Sequence, residues 1–356
     1  MQSQVIDLSS STWVAALETI RHDVYHLPEY FYIEAKRTKT IPEAIFINEG
    51  AKTLFVPYLL RNCDDIFTEY LTTDDIFDII SPYGYTGILL SEEAASEPDF
   101  IQSALEQLKA VLSAKNVCSA FLRMHPILNQ NIQEFFPADI CQVMGETVSI
   151  NLENSPEKLW QETRSQHRNK INQAKRLGIT VRFVPYDDYL EEFISIYTET
   201  MNRIGATSIY YFDSQYYDGL RSLGDKLHLC IVEWENQVIC ASLFFEVSGI
   251  VQYHLSGTRT EFLKQSPNIF LLDYVRHWAK ERGNQFFHLG GGLGAAKDSL
   301  HQFKSGFSKQ RHNFSTLRWI LDAQKYAHLV KLRAKSLNTQ PEGLLESNFF
   351  PAYRAS

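Results

Sequence analysis

A chain of 356 residues with a formal charge of −8 is longer than one hydrophobic core usually serves and too acidic to grip nucleic acid by indiscriminate phosphate neutralisation. Its 44% hydrophobic and 21% charged residues, with 23 Phe and 18 Tyr, exclude a disordered or fibrous protein. No window approaches the roughly 20 uninterrupted apolar residues of a membrane helix, and the segment from Met1 to Asp7 lacks the basic and apolar regions of a signal peptide, so a cytoplasmic location is expected.

The five cysteines (Cys63, Cys118, Cys141, Cys230, Cys240) are scattered and never spaced Cys-x-x-Cys, which predicts buried reduced thiols and no zinc site. His22 and His26 stand four apart with no glutamate between them, and no metal is expected there.

In chain order, periodicity predicts a helix from Ser11 to about Arg21, an aromatic stretch from Asp23 to Phe31, and two strands, Glu43–Asn48 and Lys52–Leu60, hinged at Asn48-Glu49-Gly50. Ser81-Pro-Tyr-Gly-Tyr follows, then a helix from about Asp99 to Lys115 and a strand Ser119–Met124. The second half repeats that order: a helix from about Tyr189 to Ile204, strands at Leu227–Glu233 and Val238–Phe245 around Glu235-Asn236, a strand Val251–Gly257, a helix from about Asn268 to Glu281, and a strand Gln285–Leu289. A matched order over such distances predicts a duplicated α+β unit, a meander followed by a helix and a further strand, with domains at 1–150 and 151–356.

Between the halves, Ser155-Pro156-Glu157 is a helix start and Gly178 a stop, predicting one helix of about six turns from Pro156 to Leu177. Arg164, Arg168 and Lys175 fall on one stripe beside an apolar arc of Leu159, Trp160, Ile171, Ala174 and Leu177. The stripe reads either as a solvated edge or as a phosphate contact.

The most unusual stretch runs from His288 through Gly290-Gly291-Gly292 to Phe307. A strand ending in three glycines lets backbone or ligand approach closely, or the chain bend sharply. Asp298 or Ser299 can cap the next helix, with Gln302 completing a capping box, Phe303 and Phe307 buried on one face, and Lys304 left near the glycine turn. Gly290 to Ala295 formally satisfies the dinucleotide pattern G-x-G-x-x-A, but no acid closes a second parallel strand and the following helix is too short for a crossover. Neither a G-x-S-x-G elbow nor a Walker phosphate loop occurs.

Strand, triple glycine, Asp298-Ser299-Leu300 and Phe303-Lys304 together make the C-terminal half similar to the FemABX-like family. Arg168-Asn169 to Gly178 resembles the helix opening that family's second domain, and Tyr253 in Gln-Tyr-His-Leu-Ser-Gly resembles its strand tyrosine near the substrate. The segment from Tyr197 to Arg203, ahead of Tyr210-Tyr211-Phe212, resembles the helix and aromatic segment before the hairpin, and Asp78 with Ser81 to Gly87 resembles a segment of broader Fem-like acyltransferases. The likeness implies two tandem GNAT-like (acyl-CoA N-acyltransferase) domains, each a mostly antiparallel twisted sheet flanked by helices. It also implies transfer of an amino acid from aminoacyl-tRNA onto an amine of a peptidoglycan or other envelope precursor, with no permanently bound cofactor. The long coiled-coil insertion of some tRNA-dependent members is not found.

The residues implied are Lys304, Phe303 and Asp298 for catalysis, with Lys304 at the carbonyl oxygen. For substrate binding they are Tyr253, His254, Gly290, Gly291, Gly292, Arg203 and Tyr211, with Arg164, Arg168 and Lys175 on phosphates. An acyl-CoA donor acting on a sugar amine or polyamine is the alternative, and a catalytically silent binding module a third reading. Where GNAT enzymes hold the coenzyme A pyrophosphate on backbone amides of a glycine-rich turn, this chain has Lys264-Gln-Ser-Pro-Asn-Ile269, without glycine and with proline removing an amide.

Overall fold

The computed structural model describes residues 1–66, 75–128 and 131–355. In chain order it contains β1 (Gln2–Asp7), α1 (Ser11–Thr19), α2 (Pro28–Thr38), β2 (Ile41–Glu49), β3 (Lys52–Asn62), β4 (Phe77–Ile80), the two-residue β5 (Leu89–Leu90), α3 (Glu92–Ala95), α4 (Pro98–Ala114) and β6 (Val117–Arg123). There follow β7 (Cys141–Asn151), α5 (Pro156–Glu162), α6 (Ser165–Arg176), β8 (Thr180–Val184), α7 (Tyr186–Ile204), α8 (Ser214–Leu220), β9 (Leu227–Trp234), β10 (Gln237–Val247), β11 (Ile250–Thr258), α9 (Pro267–Glu281), β12 (Phe286–Gly290) and α10 (Ser299–Lys304). The chain ends with β13 (Arg311–Ile320), α11 (Ala323–Ser336) and α12 (Pro341–Glu346). Among the described residues no helix is long and apolar enough to cross a membrane.

Two compact units result, Met1–Met144 with Asn313–Ser356, and Gly145–His312. The division expected from sequence, 1–150 and 151–356, thus differs at its end: the last segment folds with the first unit. The reason is pairing and burial. β13 joins β6 antiparallel, Thr316 to Ile320 against Arg123 to Ser119, and Tyr326, Leu329, Val330 and Tyr353 bury against Cys63 and Cys118.

The first unit's sheet runs β1-β2-β3-β4-β6-β13, antiparallel except for β4 beside β6, with α4 as the connection that makes that pair parallel. The apolar face of α4 (Phe100, Ile101, Ala104, Leu105, Leu108, Leu112) buries against Ile45, Val56, Tyr58 and Leu122. The second unit's sheet runs β8-β9-β10-β11-β12-β7, antiparallel except for β11 beside β12, which α9 connects. One strand order is therefore built twice, which is the predicted duplication. The edge strands β1 and β8 and the helix α2 within the aromatic stretch were not read from the sequence. All five cysteines are buried.

The predicted single helix from Pro156 to Leu177 is two helices. Thr163 and Arg164 both take extended geometry, with ψ of 126° and 142°, and end the ladder. Buried Arg276 on α9 holds this break: its Nη1 donates to the Thr163 hydroxyl at 2.6 Å and to the Leu159 carbonyl at 3.3 Å. The Arg164 amide is turned onto the Gly306 carbonyl at 2.7 Å. A tertiary cation overrides local propensity here.

Candidate active site

In the second unit β11 and β12 pair only through Ile250, Val251 and Gln252 with Phe286, Phe287 and His288. β11 then carries a bulge, Leu255 facing Leu243 and Tyr253 facing Phe244, which leaves His254 as the extra residue. β12 turns away at Gly290, whose φ of 76° is left-handed. The strands thus diverge at Tyr253. Its ring stacks on Phe244 with centroids 5.7 Å apart, and its hydroxyl accepts from Nδ2 of Asn268, in the first turn of α9, at 2.8 Å. Burial pushes this phenol up to about 12.

The glycines are needed by the chain itself. A Cβ on Gly291 would press on the Glu146 carbonyl at 3.0 Å, and one on Gly292 would collide with the Ala296 carbonyl and the Asp298 carboxylate. Asp298 folds back over this turn, accepting from the Leu293 amide at 2.9 Å and capping α10 through the His301 amide at 2.8 Å. Burial raises its carboxyl, but the amides of His301, Leu293 and Leu300 more than offset that and hold it below its ordinary value. Asp298 is the cap, so the expected Ser299–Gln302 capping box does not form.

Lys304 closes α10 and is 8% exposed. Its Nζ donates to the Gly291 carbonyl at 2.7 Å and lies 5.8 Å from the centre of the Tyr253 ring. Among the described residues no carboxylate reaches it as an ion pair. Burial therefore lowers its pKa from 10.5 to about 8, with Asp298 partly opposing the shift. Phe303 is half-buried, packs edge-on against Phe307 at 5.8 Å, and its carbonyl accepts from His167 Nε2 at 2.9 Å. Lys304, Tyr253, Asp298 and Gly290 to Gly292 are thus brought together.

Other expected residues stand apart. His254 stacks on Phe245, on the sheet face opposite Tyr253, with its Nε2 2.7 Å from the Tyr216 hydroxyl, and burial lowers its pKa to about 3. Arg203 is occupied in joining α7 to the end of β11, donating to the Thr258 carbonyl and the Thr260 hydroxyl, each at 2.9 Å. The Tyr211 hydroxyl donates to Asn202 Oδ1. Arg168 turns inward: its Nη1 donates to the Trp160, Gln161 and Thr163 carbonyls at the end of α5. Arg164 and Lys175 are exposed. The expected cationic stripe is split accordingly.

Sequence reasoning missed Asn268, Arg276 and His167. The signal for His167 was present, since it stands four and seven residues before Ile171 and Ala174 and so belongs to their buried arc.

At the start of α9, Ser266 is left-handed and Pro267 occupies the first turn without an amide. The side chain of Asn268 is engaged by Tyr253, and Lys170 Nζ donates to the Lys264 carbonyl at 2.9 Å. A helix start that meets a pyrophosphate needs free amides. Here proline removes one of them.

Residues 161–304, all within the second unit, match the family described as Acetyltransferase (GNAT) domain. No curated protein matches the sequence. Among solved structures the chain is similar to FemX, with a TM-score of 0.69 and 14% identity over 92% of this chain and 99% of that one. It is similar also to L-PGS from Bacillus licheniformis, at 0.52 and 12% over 88% and 92%, and to the C-terminal domain (DUF2156) of a protein assigned as a lysylphosphatidylglycerol synthetase from Agrobacterium fabrum, at 0.54 and 11% over 86% and 90%. The expected class, an acyl-transferring enzyme, is the class this domain family describes, and the chain has the FemABX-like fold of two GNAT-type units, the second of which matches the acetyltransferase (GNAT) family over residues 161–304.

Proposed function

We propose that the protein transfers an aminoacyl group from aminoacyl-tRNA to a primary amine of a peptidoglycan or other envelope precursor, by direct attack beside the diverging strands of the second unit. The amine nitrogen forms the C–N bond, the ester C–O bond breaks, and the departing ribose oxygen takes the amine proton. No acyl-enzyme is required.

The observation that carries this reading is the Lys304 ammonium, buried with one neutral carbonyl as its hydrogen-bond partner. An ammonium has three donors, and one is used by Gly291, so two remain for an oxyanion developing on the attacked carbonyl. A donor so placed in a dry site is worth about 3 kcal/mol in the transition state. In this reading Tyr253, with Phe303 behind the lysine, shapes the cleft, the triple glycine is its floor, and Arg164 and Lys175 meet RNA or precursor phosphates. Asp298 holds the glycine turn and opposes loss of the lysine charge.

Coenzyme A as donor is disfavoured by the helix start at Pro267, which lacks one amide. The lysylphosphatidylglycerol synthetase name borne by one neighbour is consistent with an amino acid as cargo. Purified protein incubated with envelope precursor and either charged tRNA or acetyl-coenzyme A tests the reading: precursor-dependent discharge of the tRNA alone is expected. Discharge of the thioester alone would replace the donor, and discharge of neither would leave a binding module.

A further inference from the structure

Two backbone carbonyls bracket Lys304, and α6 holds both. The Phe303 carbonyl, one residue before, accepts from His167 Nε2 at 2.9 Å, and the Gly306 carbonyl, two residues after, accepts from the Arg164 amide at 2.7 Å. His167 is 3% exposed and wedged between aromatic rings, 4.7 Å from Phe307 and 5.7 Å from Phe303. Gly306 is glycine for the same reason: a Cβ there would collide with the His167 ring. The break in α5–α6, fixed by Arg276 on Thr163, sets the Arg164 amide and the first turn of α6 against the end of α10.

We propose that His167 is a positioning residue which, through the Phe303 carbonyl, sets where the Lys304 ammonium lies on the glycine floor. A carbonyl acceptor requires Nε2 to carry the proton, and burial, which lowers the His167 pKa, keeps the ring neutral in that tautomer. With the carbonyl held, the end of α10 cannot roll, and the Lys304 Nζ to Gly291 contact is kept. Released, the last turn frays, as helix ends do, and the ammonium reaches water. This inference rests on the reading that Lys304 acts in transfer.

The test uses the full chain and reads the lysine itself. Competitive labelling with acetic anhydride against pH, quantified at Lys304 by mass spectrometry, should titrate near 8 in the wild type, the value its burial gives. His167→Leu, which fills the space without donating, should move that midpoint up toward the ordinary 10.5 and lower precursor-dependent discharge about tenfold. His167→Gln, which can place an amide near Nε2, should restore both in large part. Gly306→Ala should disrupt the wild type, and pairing it with His167→Ala should recover the fold but not the low midpoint, which keeps the test valid if either single variant misfolds. A Lys304 midpoint unchanged in folded His167→Leu overturns the clasp. A shifted midpoint with Lys304→Met still fully active upholds the clasp and removes the catalytic reading.

Discussion

Inward-facing cations in this chain are held in two ways: Arg61 and Arg354 of the first unit share Asp78 and Arg276 of the second takes Asp273, whereas among the described residues no carboxylate pairs with buried Lys304 of the second unit. In the first unit Arg61 and Arg354 converge on Asp78, which is fully buried and accepts from the Nε of each at 2.6 Å and from the Tyr353 hydroxyl at 2.9 Å. Burial works to lower the Arg354 pKa, but the Asp78 charge and hydrogen bond more than offset it and raise the group. In the second unit Lys304 meets a neutral carbonyl and an aromatic face, and its pKa falls to about 8. A buried cation with its counter-ion is part of the scaffold. One held without it is costly to keep, and that cost is characteristic of sites where charge is used in chemistry.

The largest expected effect breaks the scaffold side of this contrast. Asp78→Ala leaves two guanidinium groups without their carboxylate and unties the C-terminal segment from β4, so chemical denaturation should show a loss of about 3–5 kcal/mol. In protein that stays folded, the labelling midpoint of Lys304 should not move. Lys304→Met should do the reverse. Transfer should fall by 10²-fold or more, from the loss of about 3 kcal/mol of oxyanion stabilisation, while stability at pH 7 holds or rises, because an unpaired buried charge is replaced by an apolar chain of similar length. Equal loss of fold in both variants would erase the distinction.

Acidity sharpens it. Below about pH 8 Lys304 is protonated in both folded and unfolded chains, and the native state bears the full cost of the buried charge. Between about 8 and 10.5 the native lysine releases its proton while the unfolded one keeps it. The unfolded chain then binds more protons, and stability rises with pH. The rise attributable to this group is at most about 3 kcal/mol. It is measured as the difference in unfolding free energy between wild type and Lys304→Met across that window. Turnover should run the other way, falling as pH rises through about 8, because the oxyanion then loses its cation.

The repeated strand order was legible because alternating apolar runs and well-marked turns carry it: Gly50, Glu235 and Asn236 adopt the positive φ that their turn positions suggested. The glycine floor and Lys304 were legible as a cluster for a similar reason, since glycines after a strand announce close approach. What approaches was not legible; it is the chain's own Asp298 and Glu146. The broken helix was hidden because the cap at Ser155 and the stop at Gly178 favour one continuous helix, and the groups that interrupt it, Arg276 and the Gly306 carbonyl, lie more than a hundred residues on. His254 was grouped with Tyr253 by adjacency, yet the bulge and the strand period put them on opposite faces. Arg168 was grouped with Arg164 and Lys175 by helical angle, which locates a Cβ but not where a long side chain ends.

That last grouping yields the smallest and most separable prediction. Arg168 donates to three carbonyls at the end of α5, where orphan acceptors and the helix dipole both favour a cation. Arg168→Ala should therefore lower stability by about 1–2 kcal/mol and leave RNA binding with its salt dependence intact. Arg164 and Lys175 are exposed, so removing both side chains should barely change unfolding. If they neutralise phosphates, the slope of log K against log salt should flatten by about 1.4 for the pair, since single strands release roughly 0.7 counterions per contact. Measured on charged tRNA at several salt concentrations, an unchanged slope in the double variant would make the exposed cations a solvated helix face. A flattened slope in Arg168→Ala would instead show that its guanidinium leaves the α5 carbonyls when RNA is present.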